Sequence, residues 1–385
     1  MTNKFIADRL LQEKLSLMSQ LQGMMAGMDD VIDLSIGDPD FTTPAPIIEA
    51  GYKDALAGCT HYTQHRGYPD VIQAVVDYYK RELGVVTDEK NVLITTSADY
   101  AAFQACFATI NPGDEVLIPD PSFLCYRSQV EYSGGKSVMV PTYEEDGWRL
   151  KAEIAEKYVT PRTRGIFIST PNNPTGACMH KEDLEGIVRL AEQYDLLIYS
   201  DEIYTWYSYD VPFVSVLSIP GAAERTVVIN SMSKNYVCTG ARLAWVIAPV
   251  QIIGAMVQEG MNMVYTAPSI SQRMGKFALE QGKEVMAPIM AEFKERMFKT
   301  AERINQIPHL KVQSPPPGTF YLFVNVKETG LTDEEFVLKV LKDAHVVTVP
   351  GSNFGACGKG YVRFCATVGL PKLLEACDRI EKLGL

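Results

Sequence analysis

The chain lacks the features that mark a metal scaffold, a disulfide framework, a nucleic-acid binder or a membrane span. Its eight cysteines are spread over 385 residues without a single CxxC pair. That argues against a zinc site or a disulfide framework and for reduced thiols in a cytoplasm. Five histidines are scattered with no metal-ligand spacing. Positive charge is scarce, since the formal net charge is -11. A nucleic-acid partner or an anionic membrane surface calls for the opposite sign. The longest apolar region, near residues 243–257, is broken by Pro249 and Gln251 and is too interrupted to cross a bilayer. Charges recur too often at the N-terminus for a secretory signal, and residues 5–11 read instead as an amphipathic helix or docking arm. Internal repeats and low-complexity tracts are also missing.

What remains is an ordinary globular composition, 46% hydrophobic and 22% charged, with length for two or three structural units. Between residues 44 and 250, short apolar runs alternate with amphipathic stretches. Strands are expected at 91–95, 115–118, 136–140, 165–169, 196–200, 227–229 and 243–247, with helices such as 101–110 and 181–193 between them. That alternation predicts an α/β fold with a mostly parallel seven-stranded sheet covered by helices. After Pro268 the texture changes. A helix at 285–304, a strand at 319–324, a helix at 333–343, strands at 346–349 and 361–365 and a helix at 375–382 read as a smaller α+β unit. The expected division is an arm and joining segment at 1–44, a large domain at 45–275 and a small C-terminal domain at 276–385.

The chemistry gathers at the expected strand ends. Lys234 stands in Ser231-Met232-Ser233-Lys234, directly after a buried strand. The carboxyl edge of an open α/β sheet is where ligands bind. A lysine held there loses hydration, its pKa falls and its amine becomes nucleophilic, as a Schiff-base lysine requires. The ordinary reading of an isolated lysine is a surface loop residue. Asp201 ends another strand, and Asn173 follows a third within Ser169-Thr170-Pro171-Asn172-Asn173-Pro174-Thr175-Gly176. Small residues at Ser97-Ala98-Asp99 precede a helix, whose free N–H groups can hold a phosphate. Ser231, Ser233 and Arg242 offer hydroxyls and charge to the same phosphate. A buried carboxylate can keep a pyridine nitrogen protonated, and Tyr204 and Asn173 can bond a phenolate oxygen. Each piece also has an ordinary role, with Asp201 or Ser97 as helix caps, Asn-Pro-Thr-Gly as a turn and Arg242 in an ion pair. Together, lysine, phosphate site and acid point to pyridoxal 5'-phosphate.

These motifs, with Ser200-Asp201-Glu202-Ile203-Tyr204, Gly240-Ala241-Arg242, Ile36-Gly37-Asp38-Pro39 and Gly360-Tyr361-Val362-Arg363-Phe364 in order, resemble the class I/II aminotransferases of the fold-type-I pyridoxal-phosphate enzymes. The resemblance covers nearly the whole chain. It implies that Lys234 forms the Schiff base and moves a proton, while Asp201 pairs with the pyridine nitrogen. Asn173 and Tyr204 bond the phenolic oxygen. Ser231, Arg242 and the loop of Ser97, Ala98 and Asp99 hold the phosphate, with Ser233 beside them. Phe123 stacks on the ring, Arg363 and Asn173 take the substrate carboxylate, and Gly37 lines the entrance. Tyr62 matches a tyrosine that reaches the phosphate of a neighbouring subunit, which implies a homodimer with shared active sites. Three positions depart from the pattern, Ser97, Phe123 and Tyr100, the last where relatives often have an acid or glutamine. Ser97 stands where relatives usually have glycine, and Phe123 where they have Tyr or Trp. Tyr100 is expected either at the phosphate or on the helix face.

The implied reaction moves an amino group from an L-amino acid to a 2-oxo acid such as 2-oxoglutarate. Neither residues 101–110 nor residues 261–266 contain a Lys or Arg to meet a distal carboxylate. A neutral, aromatic or broad donor range is therefore expected over strict aspartate. A C–S lyase of the same fold, a strict aspartate aminotransferase and a non-catalytic sensor domain are the alternative readings.

Overall fold

The structure, a computed structural model, describes residues 5–7, 21, 23–209 and 211–385. The helix or docking arm expected at residues 5–11 lies mostly outside them. After the two-residue strand β1 (Ile32–Asp33), seven strands build the main sheet. They are β2 (Val92–Thr95), β3 (Glu115–Asp120), β4 (Lys136–Pro141), β5 (Thr163–Ser169), β6 (Leu197–Asp201), β7 (Thr226–Ser231) and β8 (Ala244–Ile247). Their spatial order is β2-β8-β7-β6-β5-β3-β4. All neighbours run parallel except β8, which is antiparallel to both β7 and β2. The central strands were readable as apolar runs because helices cover both faces, so no residue need be polar for solvent. Every residue of β3 and β7 is buried.

The register brings the carboxyl ends of the central strands level. Ser169 of β5 lies opposite Asp201 of β6, and β6 runs beside β7, which ends at Ser231. Loops leaving this edge therefore meet over one surface, the usual ligand edge of such a sheet.

A second, antiparallel sheet has the order β11 (Val349–Pro350), β12 (Tyr361–Cys365), β9 (Tyr321–Asn325). The single strand expected at 346–349 is divided: Val346–Val347 forms β10 and pairs in parallel with β1, while Val349–Pro350 pairs with β12. The helix expected at 285–304 is also longer. It runs Ser269–Ile304, 36 residues, with Pro288 inside it. Gly275 and Gly282 weaken its helical signal, but a Cβ at either would collide with Leu243 or Tyr236. Close packing therefore selected glycine where propensity alone would not.

Candidate active site

One cavity opens at the carboxyl edge, between the two sheets. Ala98, Asp99, Phe123, Asn173 and Asp201 line it, as do Tyr204, Ser231, Ser233, Lys234 and Arg242. These come from five separate loops or strand ends. Gly37 and Arg363 reach the same place through bonds to Lys234 and Asn173. Two of the expected residues do not line it. Ser97 is buried at the base of the helix Ala98–Thr109, where its hydroxyl accepts the N–H of Tyr100 at 3.2 Å. Tyr62 is 82% exposed, with its ring edge-on to Tyr265.

Lys234 follows β7 by three residues, and its Nζ donates to the carbonyl of Gly37 at 2.7 Å. Burial pulls its pKa below the ordinary lysine value, against the pull of the Asp38 and Asp99 charges. A larger share of neutral, nucleophilic amine follows. The aromatic ring of Phe320 stands 5.8 Å from Nζ.

Asp201, the last residue of β6, is buried, and that burial pushes its pKa up to about 6. Its Oδ2 accepts the hydroxyl of Tyr126, and its Oδ1 accepts the N–H of Ile203 at 3.2 Å. The adjacent Glu202 points to the opposite face, as strand alternation requires. It is fully buried there. Its Oε1 accepts from Ser200, Ser215 and the N–H of Val216, while Oε2 has no partner. Burial lifts its pKa to about 7.

The side able to take an anion has two parts. Ala98 and Asp99 open the helix Ala98–Thr109, and the first N–H groups of a helix have no partner within it. Arg242 stands across the cavity in a left-handed backbone conformation, with Nη1 donating to Thr239 O at 2.8 Å. Tyr100 turns away, donating to both oxygens of Glu259 on the helix Val250–Met263. That places it on the helix face rather than at the phosphate.

On the other side, Arg363 of β12 is buried with its guanidinium between two rings, 4.5 Å from that of Tyr321 and 4.8 Å from that of Phe354. Nη1 donates to Asn173 Oδ1 at 2.9 Å and Nη2 to Ser35 O at 2.6 Å, while Nε is buried without a partner. Stacking and these bonds fix the fork that a carboxylate meets bidentately.

Two site residues escaped the sequence reading. Tyr321 lines the cavity, and its hydroxyl pairs with that of Tyr204 at 3.0 Å. It also lies so close to Gly37 that a Cβ there would collide with its hydroxyl. Tyr126, the partner of Asp201, is the second. It follows Phe123 by three residues, across the turn that opens the helix Cys125–Tyr132.

This donor set fits pyridoxal phosphate. A desolvated lysine, a buried acid, a helix N-terminus with an arginine opposite and two buried tyrosine hydroxyls answer its aldehyde, ring nitrogen, phosphate and phenolic oxygen. Among the described residues no cluster of side chains is arranged to hold a metal ion.

Comparison with known proteins agrees. The family described as "Aminotransferase class I and II" matches residues 29–380. An aromatic-amino-acid aminotransferase of Thermococcus litoralis is 38% identical over 98% of this chain and 98% of its own. An aspartate aminotransferase of Pyrococcus abyssi is likewise 38% identical, with 98% of both chains covered. The crystal structure of an aromatic aminotransferase from Pyrococcus horikoshii superposes with a TM-score of 0.90 at 37% identity, covering 94% of this chain and 98% of that one. With its fold, its cavity and these relatives in agreement, the chain belongs to the class I and II aminotransferases and is a pyridoxal 5'-phosphate-dependent transaminase.

Proposed function

We propose that the amino donor is an L-amino acid with a neutral or aromatic side chain, taken from a broad range, and that a 2-oxo acid such as 2-oxoglutarate is the acceptor. One observation carries this reading. Among the described residues lining the cavity, the cations are Lys234 and Arg242. Both are engaged by the common chemistry, and Arg363 is engaged by the α-carboxylate. Among the described residues lining the cavity, no further cation remains for a distal carboxylate.

The residues divide the work as follows. Bound pyridoxal phosphate supplies an aldehyde carbon that takes up the amino group and a ring that accepts the electron pair left on the substrate α-carbon. With the cofactor bound, Lys234 would act as general base, taking the proton from that α-carbon and passing it to the adjoining cofactor carbon. Its depressed pKa suits that task. Asp201 holds the positive charge at the ring nitrogen, and Tyr204 and Asn173 serve the phenolic oxygen. Ala98, Asp99, Ser231 and Arg242 hold the phosphate, with Ser233 beside Ser231 and Ser97 supporting the loop as its helix cap. Phe123 stacks on the ring. Arg363, steadied by Asn173, grips the substrate carboxylate, and Gly37 shapes the entrance.

The enzyme acts as a homodimer with shared active sites in the cytoplasm. Tyr62 at 82% exposure, Leu56 at 86% and Tyr52 at 67% are large apolar side chains that a second subunit would cover. Eight free cysteines suit a reducing compartment. Among the described residues, no helix is long and apolar enough to cross a membrane. Divisions near residues 44 and 275 describe the chain as a joining segment, a large domain and a small domain. The parallel pairing of Ile32–Asp33 with Val346–Val347 supports grouping the early segment with the C-terminal unit.

The test is a half-reaction screen with aspartate, alanine, methionine, phenylalanine and tyrosine, following cofactor absorbance. Neutral and aromatic donors should convert the cofactor with higher kcat/KM than aspartate. A strong preference for aspartate over all the others overturns the donor assignment.

A further inference from the structure

We infer that Tyr126 is a positioning residue for Asp201, its phenol O–H holding Oδ2 so that the carboxylate stays ionised and aimed at the cofactor ring nitrogen. The inference rests on the reading of Asp201 as the acid that faces that nitrogen.

The ring of Tyr126 is explained by packing. It is buried, stacked on Phe167 at 4.7 Å and 19°, and edge-on to Phe123 at 5.5 Å. Phenylalanine would make the same contacts. The hydroxyl is what packing does not explain: the buried hydroxyls of Tyr78, Tyr79 and Tyr236 meet no hydrogen-bond partner, whereas that of Tyr126 meets a carboxylate. The partner it finds is Asp201. Since the ring is clamped on a face and an edge, the hydroxyl sits at a fixed point, and so does the oxygen it holds.

Burial drives Asp201 toward its neutral form, and the Asp99 charge, from the helix Ala98–Thr109, pushes in the same direction. Opposing this are the Tyr126 bond, the Ile203 N–H at 3.2 Å and the charge of Lys234. The hydroxyls of Tyr204 and Tyr321 also feel the Asp201 charge, and neither is hydrogen-bonded to it. Tyr126 therefore contributes the side-chain hydrogen bond that favours the charged carboxylate. Asp201 and the ring nitrogen share one proton. Losing the phenol raises the basicity of Asp201 and draws that proton from the nitrogen toward the carboxylate.

The experiment compares wild type, Tyr126→Phe, Asp201→Asn and the double variant, each loaded with pyridoxal phosphate labelled with nitrogen-15 in the ring. Two quantities are read: the ring-nitrogen chemical shift and the dissociation constant of the cofactor. In Tyr126→Phe the resonance should move toward the neutral nitrogen, and affinity should fall roughly ten- to hundredfold, the worth of a hydrogen bond to a charged group. In the Asp201→Asn background, Tyr126→Phe should change neither. A role confined to packing would lower the melting temperature and leave the resonance in place. If Tyr126→Phe keeps the wild-type shift and affinity while Asp201→Asn alters both, the inference is wrong and the role of Asp201 stands. If Asp201→Asn also leaves both unchanged, the role of Asp201 itself fails. Should Tyr126→Phe not fold, 3-fluorotyrosine at position 126 gives the opposite sign: a stronger donor, a more protonated nitrogen and tighter binding. An unchanged resonance there overturns the inference.

Discussion

Glu202→Gln should make the protein more stable at neutral and alkaline pH while leaving acid stability unchanged. Glu202 is buried with one oxygen satisfied by three donors and the other by none. Burial raises its pKa from an ordinary 4.5 to about 7. The folded state thus binds a proton that the unfolded state releases between those values. Stability from this group is complete below pH 4.5 and is lost as pH rises toward 7. At about 1.4 kcal/mol per tenfold difference in proton affinity, the loss is on the order of 3 kcal/mol. Glutamine keeps the oxygen that accepts from Ser200, Ser215 and Val216, and carries no charge at any pH. Urea denaturation of wild type and variant at several values between pH 4.5 and 8 measures the difference. The two curves should coincide at the acid end and separate steadily, with the variant the more stable. A difference that does not vary with pH would refute the reasoning, because it would mean that Glu202 does not change protonation on folding.

Two further outcomes follow from the substrate side of the cavity. Arg363→Lys removes the planar fork held between Tyr321 and Phe354 and should cost about 2–3 kcal/mol of carboxylate recognition, roughly thirty- to 150-fold in kcat/KM. Cofactor affinity measured in parallel should stay near wild type. Gly37→Ala drives a Cβ into the hydroxyl of Tyr321, forcing that ring from its bond with Tyr204. Steady-state kinetics should show a loss of roughly tenfold or more, in line with a broken buried hydrogen bond. Because Tyr321→Phe removes the clashing atom together with the bond, the double variant should be no slower than Tyr321→Phe alone.

The fold was legible wherever burial left a continuous apolar run. All seven strands of the main sheet were found within a few residues of their ends, because strands covered on both faces need no solvent-facing alternation. What escaped notice depended on partners distant in sequence. Residues 346–349 read as one strand, and only the pairing of Val346–Val347 with β1 and of Val349–Pro350 with β12 divides them. The long helix hid its first sixteen residues, 269–284, behind glycines that exist to admit Leu243 and Tyr236. At the site, groups that the chemistry demands by type, such as Lys234, Asp201 and Arg363, were legible as motifs. Tyr321 was not, because its role comes from a contact with Tyr204 across 117 positions of sequence. Tyr126 was not singled out either, because its hydroxyl meets Asp201 across 75 positions of sequence.

The central claim is that Lys234 is the amine that joins the cofactor and moves the substrate proton. Borohydride reduction of the cofactor-loaded protein, followed by digestion and peptide mass spectrometry, tests it most directly. The account predicts the reduced cofactor on the peptide containing Lys234, and no labelled peptide from a Lys234→Ala variant that still binds pyridoxal phosphate. Label on another lysine, or undiminished labelling in the variant, would contradict it.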